Sequence, residues 1–471
     1  MVFSSHIFLF YFLPLGLLFY YCTPKRGKNV VLTGISYIFY GWSNPLFTLL
    51  MFFSTLVDYA CGLVIGSTAV ERKRIRKIAL SVSIFSNLSL LGFFKYTGFA
   101  MESYNQLFSL LGVGNFDPVP VLQFLLPLGI SFYTFQSMSY TIDVYRREAT
   151  AIHNFPDFAC FVSMFPQLVA GPIIRFQEVA DQLAVRVHSL EKFARGVAFF
   201  SLGMAKKVLL ANSCGIIADR TFSAGSLYWV DSWFGIVAYS FQIYFDFSGY
   251  SDMAIGLGLM FGFVFAKNFD SPYHSASITE FWRRWHISLS TWLKQYLYLP
   301  LGGNRKGTTR TAINLAIVML LGGLWHGASW NFIVWGGLHG LLLGAERMYG
   351  RKPVYFFLPR FFRIAFTFIL VLIAWVFFRA ETFSGALYYL GSMFGMVDVP
   401  QTSLLLGGLI YTSYSLAAMS VAALVVWRAP QTWDWSRKLT PLKIAVVVIM
   451  LVISVAVLST QSYNPFIYFN F

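Results

Sequence analysis

Apolar residues run along this chain in blocks too long for the core of a soluble domain, punctuated by short polar or charged stretches. The blocks fall at 7–22, 30–42, 46–65, 78–94 and 119–142, then at 193–218, 233–247 and 253–265. They resume at 312–325, 330–343, 361–378, 404–427 and 444–458. A straight crossing of a bilayer needs about 20 apolar residues. Several blocks are shorter, so the pattern predicts about a dozen transmembrane, broken or re-entrant helices. Segment 155–174 carries Pro156, Pro166 and Pro172. It predicts a broken piece sheltered by protein, because lipid cannot satisfy freed backbone groups. Segment 98–118 is weakly apolar and holds Glu102 and Asp117, which suits an outer face. Gly258-x-x-x-Gly262 and Gly336-x-x-x-Gly340-x-x-x-Gly344 allow close helix contact. No internal repeat or long linker divides the chain, so one all-α polytopic membrane domain over 1–471 is expected. Its parts are N-terminal helices (1–118), a core (119–346) and C-terminal helices (347–471).

Composition strengthens this picture. Hydrophobic residues are 57% of the chain and charged ones 12%, about half the usual charged share. Such a chain cannot cover a globular surface with polar groups, so its solvent is lipid. Disordered, collagenous and disulfide-stapled classes fall with it. Cys22, Cys61, Cys160 and Cys214 lie far apart and serve as small apolar packers. The net charge of +15 does not signal nucleic acid. The basic residues cluster between apolar blocks, as they do in cytoplasmic loops.

Those clusters set an orientation. Lys25, Arg26 and Lys28 follow the first block, which lacks the flanks of a cleavable signal and is expected to cross with its N-terminus outside. The stretch Arg72 to Lys77 and the pair Arg146-Arg147 read as cytoplasmic. So do Arg305, Lys306 and Arg310, and Arg347, Arg351 and Lys352.

Three places put polar chemistry where lipid would forbid it. The first is Trp325-His326-Gly327-Ala328-Ser329-Trp330, with His339 beyond. Both flanking loops read as cytoplasmic, so the chain must enter and return, with His326 near the turning point. The 14 residues before it make about 21 Å of helix, which places the imidazole deep in the membrane. An ionisable group there is a functional hypothesis by default; the bland alternative is a buried histidine bonded to a backbone carbonyl. His339, on the returning helix, is either a supporting partner or equally a packed histidine. The second place is 277–293. Ser277 and Glu280 have capping-box spacing, and Ile278, Phe281, Trp282, Trp285, Leu289, Trp292 and Leu293 form one apolar face. This predicts one amphipathic helix at the cytoplasmic interface, with His286 at the edge of the stripe, either turned inward or snorkelling. The third is Tyr244 to Asp252. There Asp252 is expected to cap a following helix, and Asp246 stays open between orienting an imidazole, capping and relaying protons. Gly302 to Thr308 lacks the ending of a phosphate-binding loop, and no His/Cys/Asp/Glu grouping has zinc spacing, so no metal is expected.

Taken together, these blocks resemble the membrane-bound O-acyltransferase family, in its bacterial alginate-acetylating branch. The resemblance rests on Pro127-Leu128-Gly129-Ile130-Ser131-Phe132-Tyr133, on Ile142-Asp143-Val144-Tyr145-Arg146 and on Ala170-Gly171-Pro172. It continues through Tyr244 to Asp252, Glu280 to Leu293, Tyr298 to Arg305, and Trp325 to Trp330. Similar proteins act on alginate, cellulose or peptidoglycan, or export D-alanine to teichoic acid.

The resemblance implies helices ringed around a funnel or tunnel, an essential histidine at His326 and a second family histidine at His286. It also implies a location in the bacterial inner membrane. The expected donor is acetyl-CoA or another cytoplasmic acetyl thioester, with no cofactor held. The expected partners are a periplasmic hydrolase-like protein and polysaccharide export machinery. His339, Asp246, Trp325, Trp330, Trp285 and Arg305 are the candidates for holding substrate or supporting the histidines. In the expected reaction a neutral imidazole, favoured by burial, takes the proton of an acceptor hydroxyl attacking the thioester. His286 would position the donor or steady the oxyanion. The rivals are D-alanyl transfer and a transporter relaying protons through Asp246, Asp252 and His326.

Overall fold

The computed structural model describes residues 1–112, 118–122, 124–350, 352–400, 403 and 405–467. Asp117, Arg351 and the start of the 404–427 block therefore lie outside the described residues. Among those described, every regular element is helical. Six helices are long and apolar enough to cross a membrane: Pro45–Ser67, Lys73–Leu110, Leu190–Phe222, Gly307–His326, Arg360–Arg379 and Pro441–Thr460. The sequence starts them by ordinary means. Pro45 and Pro441 occupy the first helical position, and the side chains of Asn44 and Thr440 accept backbone N–H groups of the first turn. The chain divides into two compact units, Met1–Ser189 with Phe261–Phe265, and Leu190–Met260 with Ala266–Phe471.

In the first unit the expected break at 155–174 is present. Helix Phe155–Ser163 stops, Met164 leaves helical geometry, and Phe165–Leu168 restarts with Pro166 in its first turn. Two expectations are corrected. Segment 78–94 does not end before an outer stretch; it runs through a π-helical turn at Gly92–Tyr96 into Thr97–Leu110. Block 119–142 is not helical throughout, since helix begins only at Ile130. Pro127 lacks an N–H, and Gly129 sits at φ +70, where a Cβ would stand 2.5 Å from the Leu168 carbonyl oxygen. The backbone there is fixed by close approach rather than by helix propensity. At the centre of this unit the fully buried Asp58 carboxylate accepts from Ser83 Oγ, Ser137 Oγ and Asn87 Nδ2, the satisfaction that burial requires.

In the second unit the blocks 233–247 and 253–265 are not separate spans. Trp229–Met260 is one helix of 32 residues, about 48 Å at 1.5 Å per residue. The glycines mark contact rather than a break. A Cβ on Gly249 would meet the Gly203 carbonyl oxygen at 2.7 Å, and one on Gly256 the Gly196 carbonyl oxygen at 2.6 Å. Within Leu190–Phe222 a π-helical turn, Lys206–Ala211, presents two lysines to this helix. Lys207 Nζ lies 2.7 Å from Asp246 Oδ1 and Lys206 Nζ lies 2.7 Å from Asp252 Oδ2. Asp252 therefore sits mid-helix in an ion pair and does not cap a helix. The expected hairpin is present as Gly307–His326 and Trp330–Met348. A Cβ on Gly336 would stand 2.3 Å from the Met319 carbonyl oxygen and one on Gly340 2.9 Å from Ala316 Cα, so small residues set the closeness of the two helices. Gly258 and Gly262 do not act as such a pair, because the helix ends at Met260.

Candidate active site

His326 is the last residue of Gly307–His326, and its side chain is 4% exposed. The helix stops there because Gly327 turns to extended geometry. The next helix is tied down at once: Asn331 Nδ2 donates to the Ala380 carbonyl, just past the end of Arg360–Arg379. His326 is thereby enclosed by aromatic rings, with centroids at 5.0 Å for Trp325, 5.2 Å for Trp335 and 5.3 Å for Phe378.

His286 is placed by a different device. Segment 277–293 is not one helix. Ile278–Arg284 and Ile287–Leu293 are separate turns, and His286 between them has φ +43. A non-glycine residue in that region is strained and persists only where its surroundings over-determine it. Here Asn268 supplies the constraint. Its carbonyl accepts from Ile287 N at 2.9 Å, and its side-chain Oδ1 accepts from Ser288 N at 3.2 Å and Ser288 Oγ at 2.9 Å. The break turns His286 fully inside, with Phe247 at 4.6 Å and Trp325 at 6.2 Å between centroids. The interfacial, snorkelling alternative is excluded. The expected cap is present in part: Ser277 Oγ accepts from Glu280 N, while the Glu280 carboxylate takes the N–H of Ala276. Glu346 completes that helix start from the hairpin, accepting from Ile278 N and Thr279 N.

The hydrogen bonds assign two tautomers. The Ser288 N–H can only donate, so Asn268 Oδ1 is the acceptor end of its amide; His286 Nδ1 faces it at 3.2 Å and the Ser288 hydroxyl at 3.4 Å, an arrangement that favours the ring proton on Nδ1. In the neutral ring the lone pair then lies on Nε2, which is buried and has no hydrogen-bond partner. His339 is the reverse. Trp282 Nε1 donates to His339 Nδ1 at 3.2 Å, and an indole has no other role. The His339 proton is thus on Nε2, again buried without a partner. Trp335 links this ring to His326, at 5.0 Å from His339. Three imidazoles lie in one aromatic cluster, one open nitrogen ready to accept a proton and another ready to donate.

The profile of the membrane-bound O-acyltransferase family (MBOAT) matches residues 32–383. The chain belongs to the MBOAT family. It is 44% identical to "Probable alginate O-acetylase AlgI" of Pseudomonas putida over 497 aligned residues, covering the whole of both chains. The protein of the same name from Pseudomonas aeruginosa is 48% identical across 84% of this chain and 75% of its own. The peptidoglycan O-acetyltransferase of Helicobacter pylori is 38% identical across 85% of this chain and 81% of its own. This MBOAT is an O-acyltransferase and a multi-pass membrane protein.

Against that identity the predicted residues separate. His326, His286, His339 and Trp325 are brought together, and Trp285 joins them through Trp375 at 5.1 Å, which stacks on Trp335 at 5.9 Å. Asp246 is not available to an imidazole in this arrangement: its carboxylate is committed to Lys207 and to the Ile467 N–H. Trp330 is 52% exposed. Arg305 is exposed in the turn before Gly307–His326, and that 20-residue helix separates it from His326 by about 30 Å. Sequence reasoning missed Asn268, Trp335, Trp375, Phe378 and the donor role of Trp282. One signal was readable, because Trp335 and His339 are spaced i, i+4 on one helix. Asn268 lies in a non-helical stretch with no pattern to mark it.

Proposed function

We propose that this MBOAT moves an acetyl group from a cytoplasmic thioester donor, acetyl-CoA by expectation, to hydroxyls destined for an exported, alginate-like polysaccharide. The reading places it in a bacterial inner membrane, with a periplasmic partner and export machinery completing delivery. The observation that carries it is His326, buried in an aromatic cage at the end of a membrane-length apolar helix. The names of the alginate- and peptidoglycan-acetylating relatives support the acyl group and the acceptor class.

In this reading His326 is the general base. Neutral imidazole takes the hydroxyl proton as the acceptor oxygen attacks the thioester carbonyl. Collapse of the tetrahedral adduct breaks the carbon–sulfur bond, and the imidazolium returns the proton to the leaving thiolate, so the ring ends as it began. A positioned base of this kind contributes about 10²–10⁴-fold. The tautomers divide the remaining work. His286, with its Nε2 lone pair, holds an N–H or O–H of a substrate and positions it, while His339 carries the open Nε2–H that can meet a developing oxyanion. In this reading Arg305 and Lys306, both exposed, would meet phosphate on a soluble donor.

The test uses inside-out membrane vesicles containing the full chain, supplied with acetyl-labelled thioester. The proposal expects thioester consumption, label in polymer esters, and indifference to collapse of the proton gradient. Gradient-dependent flux with no thioester consumed would establish the transporter instead.

A further inference from the structure

The first unit contains a cavity of about 800 Å³ that the acyl-transfer reading does not use. It lies where three helices end together: the C-terminus of Pro45–Ser67, the first turn of Lys73–Leu91 and the C-terminus of Ile130–Arg146. A site at the ends of membrane-length helices lies at the level of lipid headgroups. The exposed Arg72, Lys73, Arg74 and Lys77 stand on the same end.

Two arginines line it, and neither is neutralised by an ion pair among the described residues. Arg76 is 7% exposed. Its guanidinium is anchored by donation to the Tyr145 carbonyl at 2.8 Å and lies 5.2 Å from the Tyr145 ring centre. Its Nε is buried without an acceptor. A buried guanidinium with an unused donor is costly unless something accepts from it. Arg147 lies beside it in the lining at φ +65, a left-handed conformation for which glycine is the usual residue at a helix end. The chain keeps arginine where glycine would relieve strain, and the strain has a use if the side chain does. The same wall holds Glu148 and Asp181. Neither forms an ion pair among the described residues; Glu148 only accepts from Gln177.

Two cations and two carboxylates in one cavity fit a ligand that carries both signs. We propose that this cavity binds the zwitterionic phosphoethanolamine headgroup of a membrane phospholipid, its phosphate on Arg76 and Arg147 and its ammonium on Glu148 and Asp181. Arginine meets phosphate through paired N–H donors, and a primary ammonium has three donors for carboxylates. A glycerol headgroup lacks the cation, and a choline headgroup has no N–H to donate. The volume suits a headgroup with its glycerol, within the range of small-molecule sites. The acyl chains would leave towards the bilayer.

The full chain is reconstituted in nanodiscs with equal parts of phosphatidylethanolamine, phosphatidylglycerol and phosphatidylcholine. It is then extracted in mild detergent, and the retained lipid is quantified by mass spectrometry. Phosphatidylethanolamine is expected to be retained about tenfold over the other two. Arg147→Gly, which keeps the backbone conformation and removes the guanidinium, is expected to lower that retention about tenfold with no loss of thermal stability. Tenfold is the worth of one hydrogen bond to a charged group. Glu148→Gln is expected to abolish the preference over phosphatidylglycerol. Equal retention of all three lipids, or full retention in Arg147→Gly, would overturn the proposal. So would a protein that holds inorganic phosphate and no lipid.

Discussion

Two sets of buried polar groups lie in the second unit, and they are finished differently. Along Trp229–Met260 every carboxylate is answered. Asp246 receives Lys207 and the Ile467 amide, and Asp252 receives Lys206 and the Thr432 hydroxyl. In the histidine cluster the network stays open: His286 Nε2, His339 Nε2, Trp335 Nε1 and Asn268 Nδ2 are buried with no hydrogen-bond partner. Open buried atoms are not confined to the cluster, since Gln242 Oε1 and Ser248 Oγ on Trp229–Met260 also lack a partner; what sets the cluster apart is that its open atoms include titratable imidazole nitrogens gathered in one aromatic cage. A network that leaves donors and acceptors open is arranged for a group that arrives and leaves. The acids hold the helices together, and the histidines face chemistry.

Substitutions separate the two roles. Lys207→Ala strands a buried carboxylate and is expected to cost about 3–5 kcal/mol of stability, read as a lower melting temperature in detergent. Lys207→Ala with Asp246→Ala should recover most of that loss, and failure to recover would show that the pair is not a self-contained structural unit. His286→Ala is expected to do the opposite, lowering turnover about 10²-fold with little change in melting. Asn268→Ala releases the His286 tautomer and is expected to lower turnover about tenfold, with Asn268→Gln no substitute, because the shorter amide also accepts from the Ser288 N–H and hydroxyl. The smallest effect belongs to Trp282→Phe, which keeps the ring but removes the donor to His339. Its expected cost is about 1 kcal/mol in transition-state stabilisation, the worth of one hydrogen bond. Equal melting losses in the histidine and lysine variants would erase the distinction.

Much of this was legible in the chain because membrane physics writes it locally. Apolar length and basic clusters mark the spanning helices, and proline marks the break at Met164. Two helical blocks on either side of Gly327 mark a hairpin with His326 at its turn. The errors share one cause, which is that distant partners override local pattern. Asp246 and Asp252 read as a break because Lys206 and Lys207, about 40 residues earlier, were not visible as their partners. Segment 277–293 keeps helical period through His286, yet Asn268 bends it there. The helix after Gly129 starts late because of the Leu168 carbonyl, which no residue near Gly129 announces. The histidines were therefore named from the sequence, but the tautomers and the cage were not.

The central claim is that the His326 imidazole moves the proton of the transfer step. The most direct measurement is single-turnover acetyl transfer by purified His326→Ala and wild-type chains from one labelled thioester, with melting curves run on the same samples. The account predicts a loss of about 10²–10⁴-fold at unchanged stability. Transfer at the wild-type rate by a folded His326→Ala chain would contradict it.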